Sequence, residues 1–498
     1  MFDPWEKIAH LSRGEIRSLQ NRKLKQFISE QLYPFSPHYK NFFDQNKIDP
    51  RKIRAVEDLK RIPFTSKVDF VDAPQNPPGA EKFKEFILQP DAEKIRRAWP
   101  VPRLLKLSVL KLIKGQAHVQ EMISREYRPS FMTFTTGTTN KPIAYLYSRY
   151  DVNNLYLFGD RMLNLFNVES SERLVNMFPF APHLAFWQVA FGGVAGCVLV
   201  LSTGGGKVMG TEGNIAVLLK MQPSVILGVP SYVYHVLRMA NEKGIKLSSV
   251  KKIVLGAGRV DESLKARLRS ELQGMGSSGV AVFGTYGFTE ARCAWAECPS
   301  PDGTSSGYHL YPDKEFFEVV DPKTGEVKDE GEDGEIVYTA LDARASVVLR
   351  YRTGDFVKGG ITYQPCPYCK RTVPRLSSDI TRISDIKDLD LSKIKGQLVN
   401  LDNFTTCLNE FNEIKEWQLE IRKRNNDPHE LDELIIYVAP REKCDKAKLE
   451  QEIKSKLLLA TEVSANAIIF LPFEEIVNRL QLETASKEKR ILDSRPKN

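Results

Sequence analysis

The sequence predicts an α/β protein: a large N-terminal domain with parallel α/β subdomains and a β-barrel-like subdomain, then a small α+β C-terminal domain. Three observations carry this. Between residues 130 and 290 short apolar runs alternate with helical periods, which is how a parallel sheet reads in sequence. From 315 to 364 the pattern becomes strand-only. Beyond a charged stretch at 378–395, strand-like runs alternate with one strong helical period.

Taken in order, residues 1–60 read as helices broken at Tyr33–Pro37, and a basic helical region runs from about Asp91 to Arg125. Val175–Phe178, Val198–Leu201, Val225–Leu227, Ile253–Leu255 and Val280–Phe283 are strand-like, with helices such as Ser231–Asn241 and Glu262–Leu272 between them. Phe316–Val320 and Gly334–Ala340 are separated by an Asp321–Gly325 turn, and Ser346–Tyr351 follows as a strand. Near the end, Trp417–Arg422, Glu433–Val438 and Ala467–Leu471 read as strands. Leu449, Ile453 and Leu457 recur every four residues, as on one helix face. The domains expected are 1–384 and 385–498.

Composition narrows the function. The 498 residues provide for two to four domains, and 27% charged residues exclude bulk disorder and coiled coil. The 71 Lys+Arg against 63 Asp+Glu leave +8, a mild excess that fits an enzyme of phosphate-bearing small molecules and calls for no nucleic-acid groove. Seven cysteines exclude a disulfide scaffold. Met1–Leu32 has no apolar signal core. The one membrane-like stretch, Leu184–Leu201, contains Gly192, Gly193, Gly196 and Gln188, and reads as a buried helix followed by a buried strand, with Cys197 in the core. A reduced, cytoplasmic protein with no membrane partner is expected.

Four hydroxyls around one glycine, closed by a lysine, mark Thr133–Pro142. Thr135, Thr136, Gly137, Thr138, Thr139 and Lys141 form a turn dense in donors, able to wrap a polyphosphate or to serve as a Thr-rich surface turn. It lacks the spacing of a Walker loop. Thr203-Gly204-Gly205-Gly206-Lys207 also lacks it and reads as a strand-to-helix turn. Phe283-Gly284-Thr285-Tyr286-Gly287-Phe288-Thr289-Glu290 and Leu349-Arg350-Tyr351-Arg352-Thr353-Gly354-Asp355 each end a strand with an acid.

In this order and spacing these three segments resemble the adenylate-forming superfamily of acyl-CoA synthetases, the phenylacetate-CoA ligase branch most of all. Pro63–Lys67, Gly228–Tyr232, Gly256-Ala257-Gly258 and the tail Lys487–Arg495 extend the resemblance over most of the chain. The resemblance implies the adenylate-forming fold with a mobile C-terminal lid, and an ATP-dependent acid–CoA ligase acting on a small-molecule carboxylic acid, ATP and CoA. It leaves room for a homodimer. An adenylation-only enzyme serving a carrier protein or a small-molecule cofactor is one alternative, and a non-catalytic adenylate binder another. Residue by residue, Thr135–Lys141 would hold the phosphates, and Tyr286 would stack on adenine beside Gly256, Ala257 and Gly258. Gly287 and Thr289 belong to the same motif, Glu290 would bind Mg2+, and Asp355 would accept from the ribose hydroxyls. Lys487 would be the catalytic lysine, with Lys489 its rival. The usual hinge motif is missing, which leaves Arg382 as the ribose-contacting arginine.

Cys366-Pro367-Tyr368-Cys369 is a knuckle with the spacing that lets two thiolates grip one tetrahedral metal, and Cys298 and His309 are placed to complete it, with Cys293 in reserve. A zinc ion there has no open position and is structural. Phe178–Trp187 gathers aromatics that read either as core or as an aryl-acid pocket with His183 near the carboxylate.

Overall fold

The computed structural model describes residues 4–70, 82–135, 143–180, 182–258, 260–300, 303–383, 393–394, 397–398, 401–426, 432–442, 444–461, 463–482 and 488–495. They form two compact units, each built from non-adjacent stretches. Met1–Glu172, Pro182–Val200 and Phe283–Ile380 make the first; Arg173–Ala181, Leu201–Val282 and Thr381–Asn498 make the second.

The first unit begins with α1 (Arg13–Phe27), opened by a Ser12–Glu15 capping box, and α2 (Pro37–Gln45), where Ser36 caps the Tyr39 amide. A helical hairpin follows, α3 (Val101–Lys114) and α4 (Gln116–Tyr127), turning at Gly115 with φ +85°. The antiparallel pair β1 (Pro129–Phe134) and β2 (Ala144–Ser148) leads into α5 (Arg149–Leu165), capped by a Ser148–Asp151 box. The chain lends β3 (Arg173–Asn176) to the second unit and returns with α6 (Leu184–Ala195). Helices α5 and α6 touch backbone to backbone: a Cβ on Gly159 would lie 2.3 Å from the Gly192 Cα, so glycine is required there.

The second unit takes up β4 (Leu199–Ser202), α7 (Gly206–Met221), β5 (Val225–Gly228), α8 (Pro230–Glu242), β6 (Lys252–Leu255) and α9 (Glu262–Gly274). Strand order is β6-β5-β3-β4, and β3–β5 and β5–β6 pair in parallel as the alternating pattern predicts. Two expectations fail at one end of this order. Leu199 is 59% exposed because β4 has a neighbour on one side only, and Cys197 is exposed in the α6–β4 turn, at φ +52°.

Back in the first unit, β7 (Ala281–Phe288), β8 (Cys293–Ala296), β9 (Tyr308–His309), β10 (Glu315–Val320), β11 (Gly334–Ala340), β12 (Tyr351–Val357), β13 (Ile361–Thr362) and β14 (Arg375–Leu376) form the strand-only part. They are ordered β13-β14-β9-β8-β7 and β10-β11-β12, with antiparallel pairing between neighbours. The strand expected at Ser346–Tyr351 instead begins at Tyr351. Arg350 has φ +49°, and Leu349 and Arg350 are held from outside any ladder: the Tyr39 hydroxyl accepts from the Leu349 amide, and the Thr65 amide donates to the Arg350 carbonyl.

The second unit closes with β15 (Ile380–Arg382, from Thr381 onward), α10 (Leu401–Asn409), β16 (Ile414–Lys423), β17 (Asp432–Pro440), α11 (Lys446–Thr461), β18 (Ala467–Phe470), α12 (Phe473–Leu480) and β19 (Ile491–Asp493). Their sheet is ordered β18-β17-β16-β19. Leu449, Ile453 and Leu457 of α11 are buried in its core with Phe404 and Trp417. The expected boundary at 384/385 falls at residues 384–392, outside the described residues. Among the described residues no helix is long and apolar enough to cross a membrane.

Candidate active site

Strand β12 presents two of the site's side chains on one face. Its residues alternate between buried and half-buried, so Tyr351, Thr353 and Asp355 share a face. Tyr286, near the end of β7, donates its phenol to Asp355 Oδ2 at 2.8 Å. Tyr351 donates its phenol to Glu290 Oε1, also at 2.8 Å. The result is a crossed pair: Tyr286 and Glu290, four residues apart, meet Asp355 and Tyr351, four residues apart in the opposite sense. Along β12 those four residues span about 13 Å.

Each partner is held from behind. The Asp355 amide donates to Thr353 Oγ1, whose hydroxyl donates to the Ile336 carbonyl. The Tyr286 ring stacks on Trp295, its cross-strand partner, with centroids 5.7 Å apart. Gly287 is needed for that pairing, since a Cβ there would lie 2.7 Å from the Ala294 Cβ. The turn carrying Thr289 and Glu290 closes at Arg292, in the left-handed region at φ +60°. Arg292 is buried and ion-paired with Asp151 at 3.0 Å, and Asp151 also accepts from the Arg344 and Ala345 amides.

Thr135 closes the base of the Thr-rich loop: its Oγ1 accepts from the Ile143 amide at 3.0 Å, and its own amide donates to the Ile143 carbonyl. Thr136, Gly137, Thr138, Thr139 and Lys141 lie outside the described residues, as does Lys487. Around Lys487 the tail is anchored. Arg490 pairs with Glu416 at 2.6 Å and Glu488 at 2.9 Å, the Lys489 amide donates to Leu480, and β19 runs parallel to β16. In the second unit Gly256, Ala257 and Gly258 follow β6. The Gly256 amide donates to Gly228 at 3.2 Å, and Ala257 is left-handed at φ +61°. This is the carboxyl end of parallel strands, where α/β sheets bind ligands. Arg382 is exposed at the end of β15.

The aromatic stretch resolves mainly into packing. Trp187 contacts Phe131, Phe186 and Phe191, joining α6 to β1. His183 stands next to the Thr-rich loop, with Nδ1 3.2 Å from the Phe134 carbonyl oxygen and the Pro182 carbonyl accepting from the Phe134 amide.

Cys298, His309, Cys366 and Cys369 converge, all four ligand atoms lying within 4.8 Å of one another. Cys298 Sγ is 3.6 Å from Cys366 Sγ, and Cys369 Sγ 3.3 Å from His309 Nε2. A tetrahedral zinc with bonds of about 2.3 Å to sulfur and 2.0–2.1 Å to nitrogen separates its donors by about 3.5–3.8 Å, so the set fits that ion. The other His309 nitrogen, Nδ1, is 3.3 Å from the Ala296 carbonyl oxygen, which turns Nε2 inward. The knuckle is wound by Cys366 N–H to Arg371 and Lys370 N–H to Cys366, with Lys370 left-handed at φ +62°. Hydrogen bonds from Cys298 and Cys366, with His309 nearby, hold the Cys369 thiol well below the usual thiol range against its burial. Cys293 is not part of the group; it sits in the core beside Glu315.

The AMP-binding enzyme family matches residues 49–340, more than half of the chain. The chain belongs to that family. This AMP-binding enzyme is 27% identical to the phenylacetate-coenzyme A ligase of Aromatoleum evansii, covering 99% of this chain and 97% of that protein. It is also 27% identical to the phenylacetate-coenzyme A ligase of Thermus thermophilus, over 78% of this chain and 74% of that one. Among solved structures, a 2-hydroxyisobutyryl-CoA ligase in the postadenylation state superposes with a TM-score of 0.74 at 18% identity, covering 98% of this chain and 92% of that one, which shows the same fold. Two features of this AMP-binding enzyme go beyond what its motifs assign. Tyr351 lies in one of the motif segments, yet nothing local says its phenol meets Glu290. The Arg292–Asp151 pair joins segments far apart in sequence, and no motif announces it.

Proposed function

We propose that the protein is an ATP-dependent carboxylic acid–CoA ligase of the AMP-forming type, and that its acid is aromatic. The crossed pair of hydrogen bonds, Tyr286 to Asp355 and Tyr351 to Glu290, is the observation that carries this reading. In this reading Asp355 is the carboxylate for the ribose hydroxyls, and Glu290 is the one that faces the polyphosphate. Tyr286 gives its ring to adenine, and Thr135–Lys141 hold the phosphates. Glu290 is a half-buried carboxylate oriented by a phenol, which fits a hard divalent cation. Magnesium there supplies charge neutralisation of the triphosphate. A carboxylate oxygen of the acid attacks the α-phosphorus while the bond to pyrophosphate breaks, and Lys487 meets the negative charge that builds up. The CoA sulfur then attacks the acyl carbonyl and AMP departs. Residues 385–498 act as the lid that exchanges these two steps. The aromatic acid rests on the likeness to phenylacetate-coenzyme A ligases. Zinc at Cys298, His309, Cys366 and Cys369 pins the strand after Glu290 to the following knuckle. The cytoplasm is the compartment that keeps such thiolates reduced.

Pyrophosphate exchange over a panel of aromatic and aliphatic acids, followed by CoA and mass spectrometry of the products, tests this. Exchange with an aryl acid and a thioester product are expected. Absence of exchange with every acid, together with no ATP binding at saturating magnesium, would overturn the reading. An adenylate without thioester would replace it by adenylation alone.

A further inference from the structure

Helix α3 holds none of the residues assigned above to adenylation or thioester formation. Its 14 residues, Val101-Pro-Arg-Leu-Leu-Lys-Leu-Ser-Val-Leu-Lys-Leu-Ile-Lys114, include four basic residues and no acid, and none of them is buried. At 3.6 residues per turn, Val101, Leu105, Val109, Leu112 and Ile113 fall within an arc of about 120°. All five are exposed, Leu112 by 86% and Ile113 by 73%. Leu104, Leu107 and Leu110 occupy other angles and are half-buried, so the apolar arc is surplus to the packing of the hairpin. The helix is secured at its first turn. Arg103 lies over the Trp99 ring at 3.5 Å and pairs with Glu30 at 3.6 Å, while Trp99 donates to the Glu30 carbonyl. The most exposed apolar residues stand at the other end, next to the Gly115 turn.

Charge selects the occupant. Lys106 lies about 20° beyond Ile113 at one edge of the apolar arc, while Lys111 and Lys114 lie about 80° and 140° from Val101 at the other edge, and none of these lysines has an ion-pair partner among the described residues. A second copy of α3 laid against the first would bring like charges together. A surface that is anionic at headgroup level and apolar beneath matches both features: lysine stems lie along it and ammonium groups meet phosphates, while Leu105, Leu112 and Ile113 enter the acyl region. We infer that α3 is a membrane-surface helix that docks this protein on an anionic lipid bilayer, lying in the interface without crossing it. The inference is independent of the ligase reading, since it uses no residue of the nucleotide site.

Flotation of the full chain with phosphatidylcholine vesicles, with and without phosphatidylglycerol, is the test. Flotation is expected with the anionic vesicles only, and should weaken as salt rises. Replacing Lys106, Lys111 and Lys114 together by serine should weaken it by roughly a hundredfold, and L105S/L112S/I113S should abolish it. Because these side chains are exposed, both variants should melt with the wild type. Absence of flotation with anionic vesicles, or flotation unchanged in both variants, would overturn the inference. So would light scattering that shows a dimer lost in L105S/L112S/I113S while no vesicle binds.

Discussion

Removing Asp355 leaves the Tyr286 phenol without its acceptor and the ribose without its carboxylate. Asp355→Ala is therefore expected to weaken ATP by roughly ten- to a hundredfold, the worth of a hydrogen bond to a charged group. Tyr286→Phe keeps the ring and loses the 2.8 Å bond, so a several-fold rise in KM for ATP is the expected result in the same exchange assay. A third residue makes a pH prediction. Glu315 is buried in the first unit, where it accepts from the Tyr311 amide and the Trp295 indole, and burial pushes its carboxyl up to about 8. The native state thus keeps a proton that the unfolded chain releases above about 4.5. The unfolded state binds fewer protons throughout that window, so this contribution to stability falls as pH rises from there to about 8. Glu315→Gln retains an acceptor oxygen and has no proton to lose. It should match the wild type in thermal melts near pH 5 and exceed it by about 3–5 kcal/mol toward pH 8. Equal pH slopes in the two proteins would refute the assignment.

At the scale of elements, the site depends on how turns are closed. The Cys366–Cys369 knuckle meets the segment after β8 that bears Cys298 at the sulfurs and at the hydrogen bond between the Thr304 and Tyr368 hydroxyls. Cys369→Ser is expected to lower the zinc content of the purified protein and its melting temperature, and chelators should shift the wild type toward the variant. Zinc content unaffected by the substitution would remove the metal from this site. These elements were readable in advance to the degree that their chemistry is local. The two-residue gap between Cys366 and Cys369 is such a case, for its two thiols do converge with Cys298 and His309. What was not readable depends on neighbours. The exposure of Leu199 goes with β4 having a partner on one side only, that of Cys197 with its place in the α6–β4 turn, and the late start of β12 follows from Tyr39 and Thr65 holding Leu349 and Arg350. The phenol of Tyr351 reaches Glu290 because β12 alternates its faces, a fact of pairing and not of composition.

For the molecule as a whole, the decisive variant is Lys487→Ala. It should bind ATP with unchanged heat in calorimetry and lose pyrophosphate exchange by roughly 10²–10³-fold, as when a preorganised charge is taken from a transition state. Full exchange activity would transfer the role to Lys489, which is exposed two residues on. The way the two units share the chain has a consequence for its synthesis. Neither is a continuous segment: the first is incomplete until Ile380, and the second draws its early strands from residues 173–181 and 201–282 and its last sheet from beyond Thr381. A nascent chain leaving the ribosome must therefore hold the helices of the first unit without β7–β14 until Ile380 has emerged. Truncated forms ending near residue 282, which lack those strands, should aggregate unless a chaperone shelters them.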